Sequence, residues 1–221
     1  MLEAIALSFQ SLSDRRIQAI MVKVVLLTLC VFILLGFALW WLLGSLLAHF
    51  GLSADSGTLT AITAFASTAF STVLLFRLVA VAITWIFADD IIDAVEARHY
   101  PIRAEMGKRP GVFRGAHMAI ISVLRAIGYN LLALPLYALL LITGIGLPIA
   151  FLTVNALLLG RDLEDMLSAR HGKAHGAMGR GPRFLLGLAG TAAMLIPFVN
   201  LVVPVIATAA AVHYVHRRGK I

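Results

Sequence analysis

Apolar positions run in four long blocks, 17–50, 59–88, 116–160 and 184–216, and polar or Gly-rich segments separate them. Ahead of the first block, Leu2, Ile5, Ala6, Phe9 and Leu12 recur at i, i+3, i+4 spacing. This predicts a short amphipathic helix lying in the membrane interface, ended by Ser13-Asp14-Arg15-Arg16. In the first block, Gln18, Lys23 and His49 are the main polar exceptions. Val24 to Leu47 meets the roughly 20 apolar residues that a bilayer span needs, and Trp40-Trp41 stands where an aromatic belt would sit. A Gly/Ser turn without Lys or Arg follows at 51–58, and the second block carries Arg77 as its one charge. Both blocks predict full spanning helices.

The third and fourth blocks are divided. Pro135 interrupts the first arm of the third block, and Thr143-Gly144-Ile145-Gly146-Leu147-Pro148 makes a turn. The second arm is then Ile149–Leu159, only 11 residues. The fourth block breaks at Ile196–Asn200, with Pro204 just after, leaving arms 184–196 and 201–215 of 13 and 15 residues. Those are about 20 and 23 Å of helix, against a hydrocarbon core about 30 Å thick.

Composition fixes the solvent. Hydrophobic residues make up 61% of the 221 positions and charged residues only 13%, about half the charged share of a soluble domain, roughly 25%. The chain therefore lacks the polar surface of a soluble enzyme. Its net charge of +7 would suit nucleic acid or a membrane, and the apolar blocks select the membrane. Positions 1–16 contain Glu3 and Asp14, and the apolar run after Arg16 is too long for a signal peptide, so it reads as an anchor. The single cysteine, Cys30, lies inside that run as a small hydrophobe.

Charge then orders the topology. Basic clusters at 15–23, 98–114, 161–183 and 217–220 all belong on the cytoplasmic side by the positive-inside rule, so an even number of crossings separates each pair. The first two blocks satisfy this. The short arms predict two re-entrant hairpins with tips at 143–148 and 196–200; the alternative is two further pairs of thin spanning helices. The expected fold is an all-α membrane protein with two long transmembrane helices, two hemi-penetrating helical hairpins and an N-terminal amphipathic helix. Its single domain divides into an interfacial helix (1–16), a transmembrane hairpin (17–92), a cytoplasmic loop (93–115), a first re-entrant hairpin (116–160), a second loop (161–183), a second re-entrant hairpin (184–216) and a tail (217–221). Irregular backbone at the depth of the tips is tolerated only where protein buries it or it lines a wet cavity, which points to a transport path or a tight oligomer core.

Several segments resemble one family. They are the amphipathic start with Leu12–Arg16, the helix ending in Trp40-Trp41-Leu42-Leu43, the run from Asp89 to Pro101 (DDIIDAVEARHYP), the Gly144–Pro148 turn, Asn155–Asp162 (NALLLGRD) and Ile196–Pro204 (IPFVNLVVP). Together they are similar to the bacterial branch of the CysZ-like sulfate permease family, also called the etoposide-induced-protein family. The resemblance implies an inner-membrane, multi-pass permease or channel for sulfate or a similar anion, oligomeric with further copies of itself and surrounded by lipid, supplying sulfate for assimilation. The alternative is a non-transport assembly or envelope factor of the same fold.

The candidate anion ligands follow. In the family a glycine-hydrophobic-Arg-Arg run at the start of the first long helix looks like the sulfate-binding element; here it reads Ser13-Asp14-Arg15-Arg16. Helix N–H groups and two guanidinium forks suit a tetrahedral dianion, although Asp14 replaces a neutral residue beside it. The other reading of Arg15 and Arg16 is a positive-inside anchor on lipid phosphate. Arg77 would attract an anion along a path or pair with a helix-end carboxylate. Asn200 caps freed backbone at the break or touches the permeant. Arg125 is expected to snorkel.

Asp89, Asp90, Asp93 and Glu96 share a helix face. As a diphosphate-binding metal cluster they would need a second acidic motif, and Asp162-Glu164-Asp165 lacks the spacing. They read instead as a helix end emerging into water and pairing with Arg98 and Arg103. His171 and His175 are i, i+4, but flanking glycines make a flexible loop of them rather than a metal site. No catalytic triad, P-loop or dinucleotide motif is present. Neither an enzyme activity nor a cofactor, metal or nucleic-acid partner is expected.

Overall fold

The computed structural model describes residues 2–49, 65, 79, 82–83, 85–172, 178–196 and 199–218. In chain order these form α1 (Leu2–Ser11), α2 (Arg15–His49), α3 (85–99), α4 (Pro101–Met106), α5 (Val112–Leu141), α6 (Gly146–His171), α7 (Arg180–Ala193), a 3-10 turn (Val199–Leu201) and α8 (Val203–Arg217). No strand occurs among the described residues. Arg77, the 51–58 turn, His175, Pro197 and Phe198 lie outside them.

Among the described residues, three helices are long and apolar enough to cross a bilayer: Arg15–Leu46, Phe113–Leu141 and Gly146–His171. Only 11% of the most apolar window of the first two is buried, and Phe37, Trp41, Leu132 and Leu139 point outward. Apolar surface on this scale is stable against lipid and not against water. The interior gathers elsewhere, around α8. From Val203 to His216 that helix is buried at every position except Ile206, its polar Thr208, His213 and His216 each hydrogen-bonded inside.

Helix α1 docks on α8 through small residues. Its buried face is Ala4, Ser8 and Ser11, while Ala6 and Phe9 are exposed. This differs from the apolar face expected from spacing. Ser8 and Ser11 can be buried because their hydroxyls donate to the carbonyls of Ile5 and Leu7 at 2.6 and 2.9 Å.

The third block departs most from the sequence reading. Pro135 lies inside one continuous 30-residue helix, since a membrane helix can lose one backbone bond at proline without ending. The turn falls at Ile142–Ile145: Gly144 takes φ +70°, and Thr143 Oγ1 accepts from the Gly146 N–H at 2.9 Å. The second arm is not 11 residues, because α6 runs 26 residues, through 161–171, before Gly172 ends it at φ +65°.

Segment 161–171 is helix because every acidic group on it finds a cation. Asp165 and Asp162 meet Arg125 of α5 at 2.8 and 3.5 Å. Glu164 meets Arg183 of α7 at 2.7 Å. Arg125 is thus held in an ion pair rather than snorkelling. On the same helix Gly160 and Gly187 let α6 and α7 touch through their backbones. A Cβ on Gly187 would stand 2.0 Å from the Ala156 carbonyl oxygen, and one on Gly160 2.2 Å from that of Arg183. Helices α7 and α8, with 14 and 15 residues, match the expected short arms.

Candidate functional site

Two constellations of charge lie where α2, α3, α6 and α8 meet the polar segments. The first is an open cleft of about 290 Å³ lined by Arg16, Ala19, Ile20 and Lys23 of α2, Asp90, Asp93 and Ala94 of α3, and Arg109. Arg16 and Lys23 are seven residues apart, two helical turns, and so share a face. Arg109 is already engaged: it lies 3.4 Å from Asp90 and bonds Asp93. Among the described residues, Arg16 and Lys23 form no ion pair.

The N-terminus of α2 is also engaged. Asp14 Oδ1 accepts from the Arg16 N–H at 2.7 Å, as an N-cap carboxylate does. Its other oxygen accepts from Arg98 at 2.9 Å. The Arg98 hydrogen bond holds the Asp14 carboxyl below its ordinary pKa. A cradle of free backbone N–H groups is therefore not what an anion meets here; it meets side chains, with Asp14 close by. Arg15 is exposed and outside the cleft lining. Asn200 sits half-buried in the 3-10 turn, its N–H donating to the Ile196 carbonyl at 3.1 Å. That turn packs against α2.

The second constellation is buried and centres on Glu96, which has no solvent exposure. Its Oε2 accepts from Arg170 Nε at 2.8 Å. Its Oε1 lies 2.6 Å from His171 Nε2 and 2.7 Å from His216 Nε2. Burial acts to raise the Glu96 pKa, but the hydrogen bonds to the two imidazoles and the Arg170 charge outweigh it and hold the carboxyl at about 2. Arg170 also bonds Asp93, which links the buried cluster to the cleft. Gly107 packs over Arg170: a Cβ there would lie 2.7 Å from Arg170 Nε.

Beside it, His213 Nδ1 and Nε2 lie 3.0 Å from Tyr100 Oη and 3.0 Å from Ser11 Oγ. His99 approaches the same serine at 3.5 Å. Burial pushes the His213 pKa down to about 4, with His99, His216 and Arg217 adding to the effect.

The acidic face of α3 was visible in the sequence; its partners were not. Asp90, Asp93 and Glu96 pair with Arg109 and Arg170, not with Arg98 and Arg103 as expected, because Arg98 turns to Asp14. Glu96 meets Arg170, His171 and His216 across 74, 75 and 120 positions, and no local spacing signals such contacts.

Against known proteins, the family model described as "Sulfate transporter CysZ/Etoposide-induced protein 2.4" matches residues 4–204. No curated protein matches the chain.

Proposed function

The chain belongs to the family of sulfate transporter CysZ and etoposide-induced protein 2.4, and from that premise we propose that it carries sulfate or a similar oxyanion across the inner membrane. The family match carries this reading. The cleft supports it, since Arg16 and Lys23 present two cations to solvent at the start of a helix apolar enough to span. Paired donors of this kind suit a dianion. The sequence carries no P-loop, and the proposed passage is passive or gradient-driven. The path is completed by further copies of the chain. Arg77 and Asn200 are assigned to attracting and contacting the permeant along it.

The hairpin topology is proposed on a refined measure. We take the Arg125–Asp165 ion pair, 2.8 Å long, as the polar end of the α5–α6 hairpin. From there to the turn 126–141 and 146–164 remain, 16 and 19 residues. These are about 24 and 28 Å of helix, against a core about 30 Å thick. The α7–α8 pair is shorter, with 14 and 15 residues. Both hairpins then enter from the cytoplasmic side and turn back.

Purified protein in proteoliposomes tests the function. Radiolabelled sulfate influx is measured with and without a proton gradient. The expected outcome is influx well above empty vesicles, falling about tenfold in Arg16→Ala, as loss of one charge-assisted contact implies. Influx no greater than in empty vesicles would exclude transport and leave the envelope-factor reading.

A further inference from the structure

The cluster around Glu96 has a second use that transport does not require. We propose that Glu96, His171 and His216 bind a divalent transition-metal ion of the zinc class. One ligand atom from each of the three lies within 4.8 Å of the other two. Both imidazoles turn their Nε2 atoms toward the same carboxylate oxygen, at 2.6 and 2.7 Å. Their rings stand edge to face, 5.4 Å between centroids and 85° between planes, which makes the two nitrogens converge on one point. Two histidines and one carboxylate are a common donor set for zinc, with a fourth position left for water.

The surroundings fit such an ion. Arg170 holds Glu96 by the oxygen that the imidazoles do not use, which orients the carboxylate as an outer-sphere partner does. Among the described residues, Asp93 joins Arg170 to Arg109 and so ties the cluster to the cleft that Arg16 and Lys23 also line. Ligands around tetrahedral zinc stand about 3.3 Å apart, so the three donors must open slightly. His171 can yield, being the last residue of α6 before Gly172 at φ +65°. The three ligands come from α3, α6 and α8, and an ion there would clamp their ends together.

The test uses tag-free protein in detergent, stripped with a chelator, then titrated with Zn²⁺ by calorimetry and with Co²⁺ by visible absorption. The expected result is one ion per chain, a tetrahedral Co²⁺ spectrum and a rise in unfolding temperature. His171→Ala and His216→Ala should each weaken binding by at least about tenfold. If His216→Ala does not fold, His171→Ala decides alone, because that side chain sits at a helix end. Wild-type protein that takes up no stoichiometric ion would overturn the proposal, leaving a purely hydrogen-bonded cluster. Folded His171→Ala that binds as tightly as wild type would overturn it too.

Discussion

Arg170 Nε lies 2.8 Å from Glu96 Oε2, with the two side chains 1% and 0% exposed. A buried charge left without its partner costs about 3–5 kcal/mol. Arg170→Leu is therefore expected to lower stability by that order, measured by thermal or SDS unfolding. Arg170→Lys should recover little, because one ammonium cannot reproduce a planar fork that reaches both Asp93 and Glu96. Full recovery by lysine would show that only the charge matters.

The Arg125–Asp165 pair makes a different prediction. Arg125→Leu leaves Asp162 and Asp165 facing each other on α6 and should cost about 3 kcal/mol. Adding Asp162→Asn and Asp165→Asn should return much of that loss, since apolar or neutral replacements of a whole buried pair are often neutral. If the triple variant is no more stable than Arg125→Leu, the pair is not the coupled unit the geometry implies.

At the α6–α7 seam, Gly187→Ala puts a methyl group against the Ala156 carbonyl. Backbone cannot yield as a side-chain tip can, so the helices must part, at about 1–3 kcal/mol or more. Gly181→Ala on the same helix meets open space and should change stability by less than about 0.5 kcal/mol. Equal effects in chemical or thermal unfolding would contradict the close approach.

Acid should destabilise the protein through His213. Its folded pKa of about 4 lies below the ordinary 6.5, so the unfolded chain takes up this proton first. The stability it contributes is full above pH 6.5 and is lost as pH falls toward 4. Ser11, His99 and Tyr100 face the ring, and His216 and Arg217 lie on its own helix. The loss is on the order of 2–3 kcal/mol. His213→Gln should flatten the stability–pH curve in that window, and an unchanged slope would refute the assignment.

Asp14 offers a test by gain. Asn is as good a helix N-cap as Asp, so Asp14→Asn keeps the start of α2 while removing a negative charge beside Arg16. Sulfate binding measured by calorimetry should tighten several-fold, the size expected from less than about 1 kcal/mol at an exposed site. Weaker binding would place the anion elsewhere.

Much of this arrangement was legible in the sequence, and the failures share one cause. The short arms of α7 and α8, the turn around Gly144 and the acidic face of α3 follow from apolar run lengths, Gly/Pro placement and helical spacing, all local properties. The 161–171 segment was misread because Asp162, Glu164 and Asp165 look solvated until Arg125 and Arg183 are known to face them. His171 looked like part of a mobile loop for the same reason. The seam of α1 was missed because Ser8 and Ser11 count as polar by composition, yet bond within their own helix and pack as small residues.

The docking of α1 on α8 also bears on biogenesis. Ser11 and His213 touch across 202 positions, and ribosomes deliver roughly 5–20 residues each second. Helix α1 must therefore wait many seconds for its partner, with Ala4, Ser8 and Ser11 uncovered. During that interval the nascent chain presents a sticky seam to the insertion machinery, and closing it is among the last events of assembly.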